Sequence, residues 1–180
     1  MRNIVLIGFM GTGKTVVGKR LAARLGYRYV DTDMIIEEQT GCTIAEIFKN
    51  RGESYFREVE RSVIQKVVRS KGSVISTGGG AVVDPENLAL LKKNGLVICL
   101  KSSPEKIMER TGRKKNERPL LSGKEPLEET KRLLELRAPY YEQADWMVDT
   151  SKKTVAQVVE IVVATIEQKL KAGDIGADPS

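Results

Sequence analysis

Gly8-Phe9-Met10-Gly11-Thr12-Gly13-Lys14-Thr15 stands between an apolar run, Ile4-Val5-Leu6-Ile7, and a stretch in which Val16, Val17, Leu21 and Leu25 recur at roughly helical spacing until Gly26. The octapeptide has the form G-x-x-x-x-G-K-[ST]. A strand before it and a helix after it give that pattern its mechanism. Glycines let the backbone turn tightly, so that its N–H groups converge on an anion at a helix N-terminus. Lys14 adds a point charge for the β- and γ-phosphates of a nucleotide, and the Thr15 hydroxyl is a ligand for Mg²⁺. Gly11, Thr12, Gly13, Lys14, Thr15 and Val16 are therefore the candidate ATP-binding residues. A glycine-rich turn of no consequence would not need the strand and helix on either side.

Working outward, five short apolar runs stand out: Ile4–Ile7, Tyr29–Val30, Val74–Ile75, Val97–Leu100 and Trp146–Val148. Helical patterns separate them, at about Lys14–Leu25, Met34–Gln39, Ile44–Asn50, Ser54–Ser70, Pro85–Asn94, Pro104–Arg110, Leu127–Leu136 and Val155–Leu170. Such alternation predicts an α/β fold with a parallel sheet between helices. No linker or repeat divides the chain, so 1–171 is expected to form one domain, with 172–180 a disordered tail.

The second predicted strand ends in Asp31-Thr32-Asp33. Open α/β sheets place their sites at strand C-termini. Residues two apart in extended backbone face the same side, which would aim both carboxylates at the crevice. Asp31 is then a candidate for Mg²⁺, through water, and Asp33 for orienting or deprotonating an acceptor hydroxyl. Capping of the helix that begins near Met34 is the plain alternative for either one. The third strand runs into Ser76-Thr77-Gly78-Gly79-Gly80 with no terminal Asp, which leaves Asp31 to serve as the metal carboxylate. Gly78, Gly79 and Gly80 permit close approach of a ligand to the backbone.

Composition narrows the partners. The chain has 180 residues, 30 Lys+Arg against 24 Asp+Glu and a net charge of +6. Much of the excess lies in Arg110 to Lys124, without aromatic RNA-binding motifs or a helix-turn-helix pattern, which favours small anions over nucleic acid. No apolar run has membrane-spanning length, and the expected location is the cytoplasm. With no histidine, a general base must be a carboxylate, Lys, Tyr or Cys. The two cysteines, Cys42 and Cys99, are read as free thiols.

Thr111 to Lys124 resists regular structure and is expected to be a mobile lid over the phosphates. Arg118 in it could bring positive charge to the transferring group as the lid closes, although taken alone it reads as a solvated or ion-paired surface residue. A switch GTPase would need a guanine-reading N-K-x-D, which is absent. The whole set suits a kinase of a small metabolite.

Together these residues resemble the shikimate kinase family, from Asn3 to about Glu167. The phosphate loop, Asp31-Thr-Asp33, Gly52-Glu-Ser-Tyr-Phe-Arg57, Ser76-Thr-Gly-Gly-Gly-Ala81, Arg118-Pro-Leu-Leu121 and Arg137-Ala-Pro-Tyr-Tyr141 occur in the family's order. The resemblance implies a P-loop NTPase fold of the nucleoside-monophosphate-kinase type, three-layered about a five-stranded parallel sheet. It implies transfer of the γ-phosphoryl group from ATP to the 3-hydroxyl of shikimate, with Mg²⁺. No coiled coil or large exposed apolar stripe in the sequence asks for a partner, so a monomer is expected. The resemblance also implies roles for residues that composition does not select. Arg57 and Arg137 would hold the acceptor carboxylate, with Gly79 beside it. Asp33 would act on the hydroxyl, and Lys14 and Arg118 on the phosphoryl group. Arg110 would flank adenine, and Lys153 stands where some members have an arginine near adenine. A kinase of another sugar acid, such as gluconate, and a nucleotide-binding regulatory protein are the alternatives.

Overall fold

A computed structural model describes residues 2–112 and 126–171. Most of the expected lid, with Arg118, and the expected tail at 172–180 lie outside the described residues. Strand β1 (Asn3–Ile7) is followed by α1 (Lys14–Leu25), β2 (Arg28–Asp31), α2 (Thr32–Thr40) and α3 (Ile44–Val67). Then come β3 (Ser73–Ser76), a short 3₁₀ turn (Ala81–Val83), α4 (Pro85–Asn94), β4 (Gly95–Lys101) and α5 (Pro104–Thr111). The described chain resumes with α6 (Pro126–Tyr141), β5 (Trp146–Asp149) and α7 (Val155–Lys171).

The strands form one parallel sheet in the order β2-β3-β1-β4-β5. All five residues of β1 are buried because both faces of the sheet are covered. Alternation along the strand sorts the core into two layers. Ile4 and Leu6 pack with Val17 and Leu21 of α1 and with Val158 and Val162 of α7. Val5 and Ile7 pack on the opposite face with Ile36, Ile47, Phe56, Val63, Leu91, Ile107 and Leu133. The fold is α/β, with helices on both faces of the parallel sheet. Among the described residues no helix is long and apolar enough to cross a membrane.

Three local expectations need correction. α2 begins at Thr32 rather than Met34, so Asp33 is already helical and does not share an extended strand with Asp31. The helix patterns at Ile44–Asn50 and Ser54–Ser70 are assigned to one element, but Gly52 at φ +79° and ψ 172° breaks it where the two patterns part, and the second ends at Val67. α6 runs on past Leu136 to Tyr141, with Pro139 in its last turn. That proline forgoes only one late helical hydrogen bond.

Candidate active site

The phosphate loop hangs between the C-terminal end of β1 and the first turn of α1. Gly13 is the N-cap of α1, at φ +100°, a backbone state that L side chains rarely adopt. At Gly8 a side chain would collide with the Leu100 carbonyl of β4. The α1 terminus has no side-chain cap and no acidic residue in its first turn. Its N–H groups and its dipole therefore favour an anion. Lys14 Nζ donates to the carbonyls of Gly8 at 2.7 Å and Phe9 at 3.0 Å, which holds the ammonium along the loop. Thr12 Oγ1 donates to the Phe9 carbonyl at 2.7 Å and stiffens the same turn. Val16, the next residue of α1, is exposed.

At the loop's edge Thr15 Oγ1 donates to Asp31 Oδ2 at 3.4 Å. Asp31 is also the N-cap of α2, with Oδ1 accepting the Asp33 N–H at 3.2 Å. The capping alternative thus holds for Asp31 alongside its position opposite Thr15: one oxygen caps and the other faces the loop. The Tyr29 hydroxyl donates to Oδ2 at 2.8 Å. Burial, and then the bond to Asp31, push that phenol well above its ordinary range, so it stays protonated.

Asp33 lies deeper. Its Oδ1 is buried without a partner among the described residues, and so is Oε1 of Glu60. Both oxygens crowd the Gly78 backbone, where a Cβ would sit 2.7 Å from Asp33 Oδ1 and 3.0 Å from Glu60 Oε1. Burial, and then the Asp31 charge, raise the Asp33 carboxyl from 3.8 to about 6, while Lys14 pulls it back. A carboxylate of that basicity is better suited to accept a proton than an ordinary one.

Cations face these acids. Arg57 NH1 binds Glu60 Oε2 at 2.7 Å, and its Nε and NH2 bind Glu53 Oε1 at 3.2 and 3.0 Å. Burial pushes the Glu60 carboxyl up, against the pull of Arg57. Arg137 is buried in α6, with its guanidinium carbon 5.5 Å from the centre of the Phe9 ring. The glycine turn threads between the arginines. A Cβ on Gly80 would stand 2.7 Å from Arg57 NH2, and one on Gly79 would stand 3.4 Å from the Met10 amide nitrogen and 3.6 Å from Arg137 NH1. None of the three glycines has positive φ; a Cβ would be crowded at Gly78 and Gly80, whereas at Gly79 it would make ordinary contacts. The Tyr141 hydroxyl donates to the Gly79 carbonyl at 2.6 Å, and the Gly78 N–H donates to Thr32 Oγ1 at 3.2 Å.

On the other flank Arg110 donates to the Gly11 carbonyl at 3.3 Å and to Thr150 Oγ1 at 3.0 Å and its carbonyl at 2.9 Å. Thr150 Oγ1 in turn donates to the carbonyls of Thr12 and Lys101, both at 3.1 Å. Arg110 is thereby held beside the phosphate loop. Lys153 is exposed in the loop after β5, its N–H donating to the Thr150 carbonyl at 3.4 Å.

A family model described as shikimate kinase matches residues 10–167, which is most of the chain. The chain belongs to the shikimate kinase family. A shikimate kinase of Caldanaerobacter subterraneus subsp. tengcongensis is 47% identical over 91% of this chain and 95% of its own. The solved shikimate kinase of Acinetobacter baumannii, in complex with shikimate, superposes with a TM-score of 0.90 at 36% identity, covering 94% of both chains. A gluconokinase of Sinorhizobium meliloti shares the fold alone, with a TM-score of 0.63 at 18% identity. Members of the family are ATP-dependent phosphotransferases.

For a shikimate kinase the expected residues fall into three neighbouring groups. Gly11 to Val16 with Asp31 form the phosphate corner. Asp33, Arg57, Gly78, Gly79, Gly80 and Arg137 cluster about the glycine turn. Arg110 and Lys153 lie on the far side of the loop. Sequence reasoning missed Tyr29, Glu60, Tyr141 and Thr150. Glu60 left a signal as a carboxylate three residues after Arg57 on a helix, and Tyr141 closes the Arg137-Ala-Pro-Tyr-Tyr141 motif.

Proposed function

We propose that the protein transfers the γ-phosphoryl group of ATP to the 3-hydroxyl of shikimate. The observation that carries this reading is the corner at the glycine turn: a buried Asp33 oxygen without a partner among the described residues, with Arg57 and Arg137 alongside. A small polyhydroxy acid fits that chemistry. Its carboxylate takes the guanidinium donors of Arg57 and Arg137. Its hydroxyls take the Gly78–Gly80 backbone and Asp33. Asp33 orients the reacting hydroxyl and accepts its proton as the phosphoryl group transfers.

Lys14 and the α1 N-terminus hold the phosphates in line with that hydroxyl. Thr15 and Asp31 fit Mg²⁺. Thr15 offers a hard oxygen ligand at the loop's edge and Asp31 a carboxylate behind it that holds the ion through water, and this ion keeps several waters and phosphate oxygens besides. When bound, Mg²⁺ neutralises phosphate charge. Arg110 and Lys153 serve the adenine side. Arg118 rests on the family resemblance alone, as the cation that arrives when the lid over 111–124 closes. We take residues 1–171 to act as one kinase domain, monomeric, working in the cytoplasm.

The test is ADP release from Mg-ATP by the purified protein with shikimate, with gluconate and with no acceptor. The expected result is strong stimulation by shikimate only. Stimulation by gluconate only would overturn the acceptor assignment. Binding of ATP without turnover under any condition would favour a regulatory nucleotide-binding role.

A further inference from the structure

Tyr29 has no part in the scheme above, yet its side chain reaches the phosphate corner. It stands on the edge strand β2, two residues before Asp31. The Asp31 carboxylate is held from three sides. Oδ1 accepts the Asp33 N–H at 3.2 Å, and Oδ2 accepts the Tyr29 hydroxyl at 2.8 Å and the Thr15 hydroxyl at 3.4 Å. The hydroxyls of Thr15 and Ser76 also neighbour the phenol oxygen. Of the bonds to Oδ2, the one from Tyr29 is the shorter.

The ring has a made seat. Gly18 lies inside α1, where glycine is less stable than alanine would be. A Cβ there would stand 2.7 Å from Tyr29 Cε2 and 3.3 Å from Leu6 Cδ1. The helix therefore gives up a side chain where the ring passes. Lys19 Nζ lies 5.8 Å from the ring centre. Phenylalanine would fill this seat equally well. The hydroxyl adds the bond to Asp31, and a phenol in such a place needs a polar partner.

We propose that Tyr29 is a positioning residue for the divalent cation. Its hydroxyl fixes Asp31 Oδ2 towards Thr15, and Gly18 is the slot that admits its ring. Without that bond the carboxylate is anchored chiefly through its capping oxygen, Oδ1. Oδ2 is then free to turn away from the loop. Groups that orient a metal's ligands commonly matter about tenfold or more in metal affinity. The inference rests on the reading of Thr15 and Asp31 as the Mg²⁺ pair.

The test uses the whole chain and Mn²⁺, a hard octahedral probe of the Mg²⁺ site whose free ion is read by electron paramagnetic resonance. Mn²⁺ binding to the protein–ADP complex is compared for wild type, Tyr29→Phe and Asp31→Asn, with ADP affinity in EDTA measured for each. Tyr29→Phe keeps the ring in its seat and is expected to bind ADP in EDTA as wild type does. It should bind Mn²⁺ about tenfold more weakly, and Asp31→Asn at least as weakly. Wild-type Mn²⁺ affinity in Tyr29→Phe beside a loss in Asp31→Asn would overturn this inference and leave the Mg²⁺ pair standing. Wild-type Mn²⁺ affinity in both variants would overturn the pair and the inference together. An equal loss of ADP affinity in EDTA would show that the hydroxyl shapes the phosphate loop instead, and would overturn the inference.

Discussion

Asp33 Oδ1 and Glu60 Oε1 converge on one glycine, coming within 2.7 and 3.0 Å of the place a Cβ on Gly78 would take. One carboxylate comes from the start of α2 and the other from the middle of α3. Gly78→Ala should push Asp33 out of line while leaving the phosphate loop intact. We expect a large loss of kcat with shikimate, on the order of 10²-fold, as misplaced reacting groups commonly cost. ADP affinity should be unchanged. A variant with near-normal turnover would show that the contact has no part in alignment.

Asp33 must be ionised to accept a proton, and its carboxyl is raised to about 6, first by burial and then by Asp31. kcat/KM for the acceptor should therefore fall below about pH 6, tending to one decade per pH unit. The limb should vanish in Asp33→Asn, whose residual rate is expected to be at least 10²-fold lower. A profile flat down to pH 5 would contradict the assignment of Asp33 as the base.

The same shift carries a stability cost with a definite sign. A carboxyl whose folded pKa lies above its unfolded value favours the fold while protonated, and loses that contribution as pH rises through the folded pKa. For Asp33 the window runs from about 3.8 to about 6. Asp33→Asn should therefore be more stable to unfolding than wild type at pH 7 to 8, by on the order of 1–3 kcal/mol. The gap should close as pH falls towards 4. A variant that melts below wild type at pH 8 would mean that the carboxylate stabilises the fold.

Arg57 divides its donors between a buried and an exposed acid. Glu60 is almost fully enclosed, whereas the Glu53 side chain is 65% exposed. Glu60 anchors the guanidinium, and Glu53 holds a face that a substrate carboxylate can take. Glu60→Gln should raise the shikimate KM about tenfold, because a charge-assisted bond is lost. Glu53→Gln should leave it equal or lower, changed by less than about fivefold, as an exposed pair is weak. The opposite ranking would reverse these roles.

Arg137 is buried beside Phe9 and close to the glycine turn. Its replacement by alanine should raise the acceptor KM by roughly 10–100-fold, equivalent to about 1.5–3 kcal/mol for a bond to a charged group. ATP affinity should stay put. An unchanged acceptor KM would remove Arg137 from the carboxylate site.

Much of this architecture can be read from local pattern. β1 and α1 flank the phosphate loop as the glycines, the apolar run and the helical spacing require, and all five strands fall on the predicted runs. The α7 stripe Val158, Val159, Val162, Val163 and Ile166 is buried as its period demands. What local pattern misreads is the junction at Asp31. A strand residue that caps the next helix places its successor by helical rather than extended geometry, so Asp31 and Asp33 part company in depth. What it cannot reach is pairing across distance. Tyr141 meets Gly79 across 62 positions, and Thr150 meets Thr12 across 138. Nothing near Tyr141 or Thr150 in sequence marks those contacts. Arg57 and Arg137 were likewise invisible to composition, because burial beside a carboxylate or an aromatic ring is a property of the folded chain.

The most direct measurement offers the protein Mg-ATP with shikimate and gluconate together and follows phosphorus–proton correlated NMR of the products. The account predicts one new phosphomonoester, coupled to the proton on carbon 3 of shikimate, formed at least 10²-fold more slowly when Asp33→Asn is used at the same concentration. Phosphate on gluconate, on another shikimate hydroxyl or released only as the inorganic ion would contradict it.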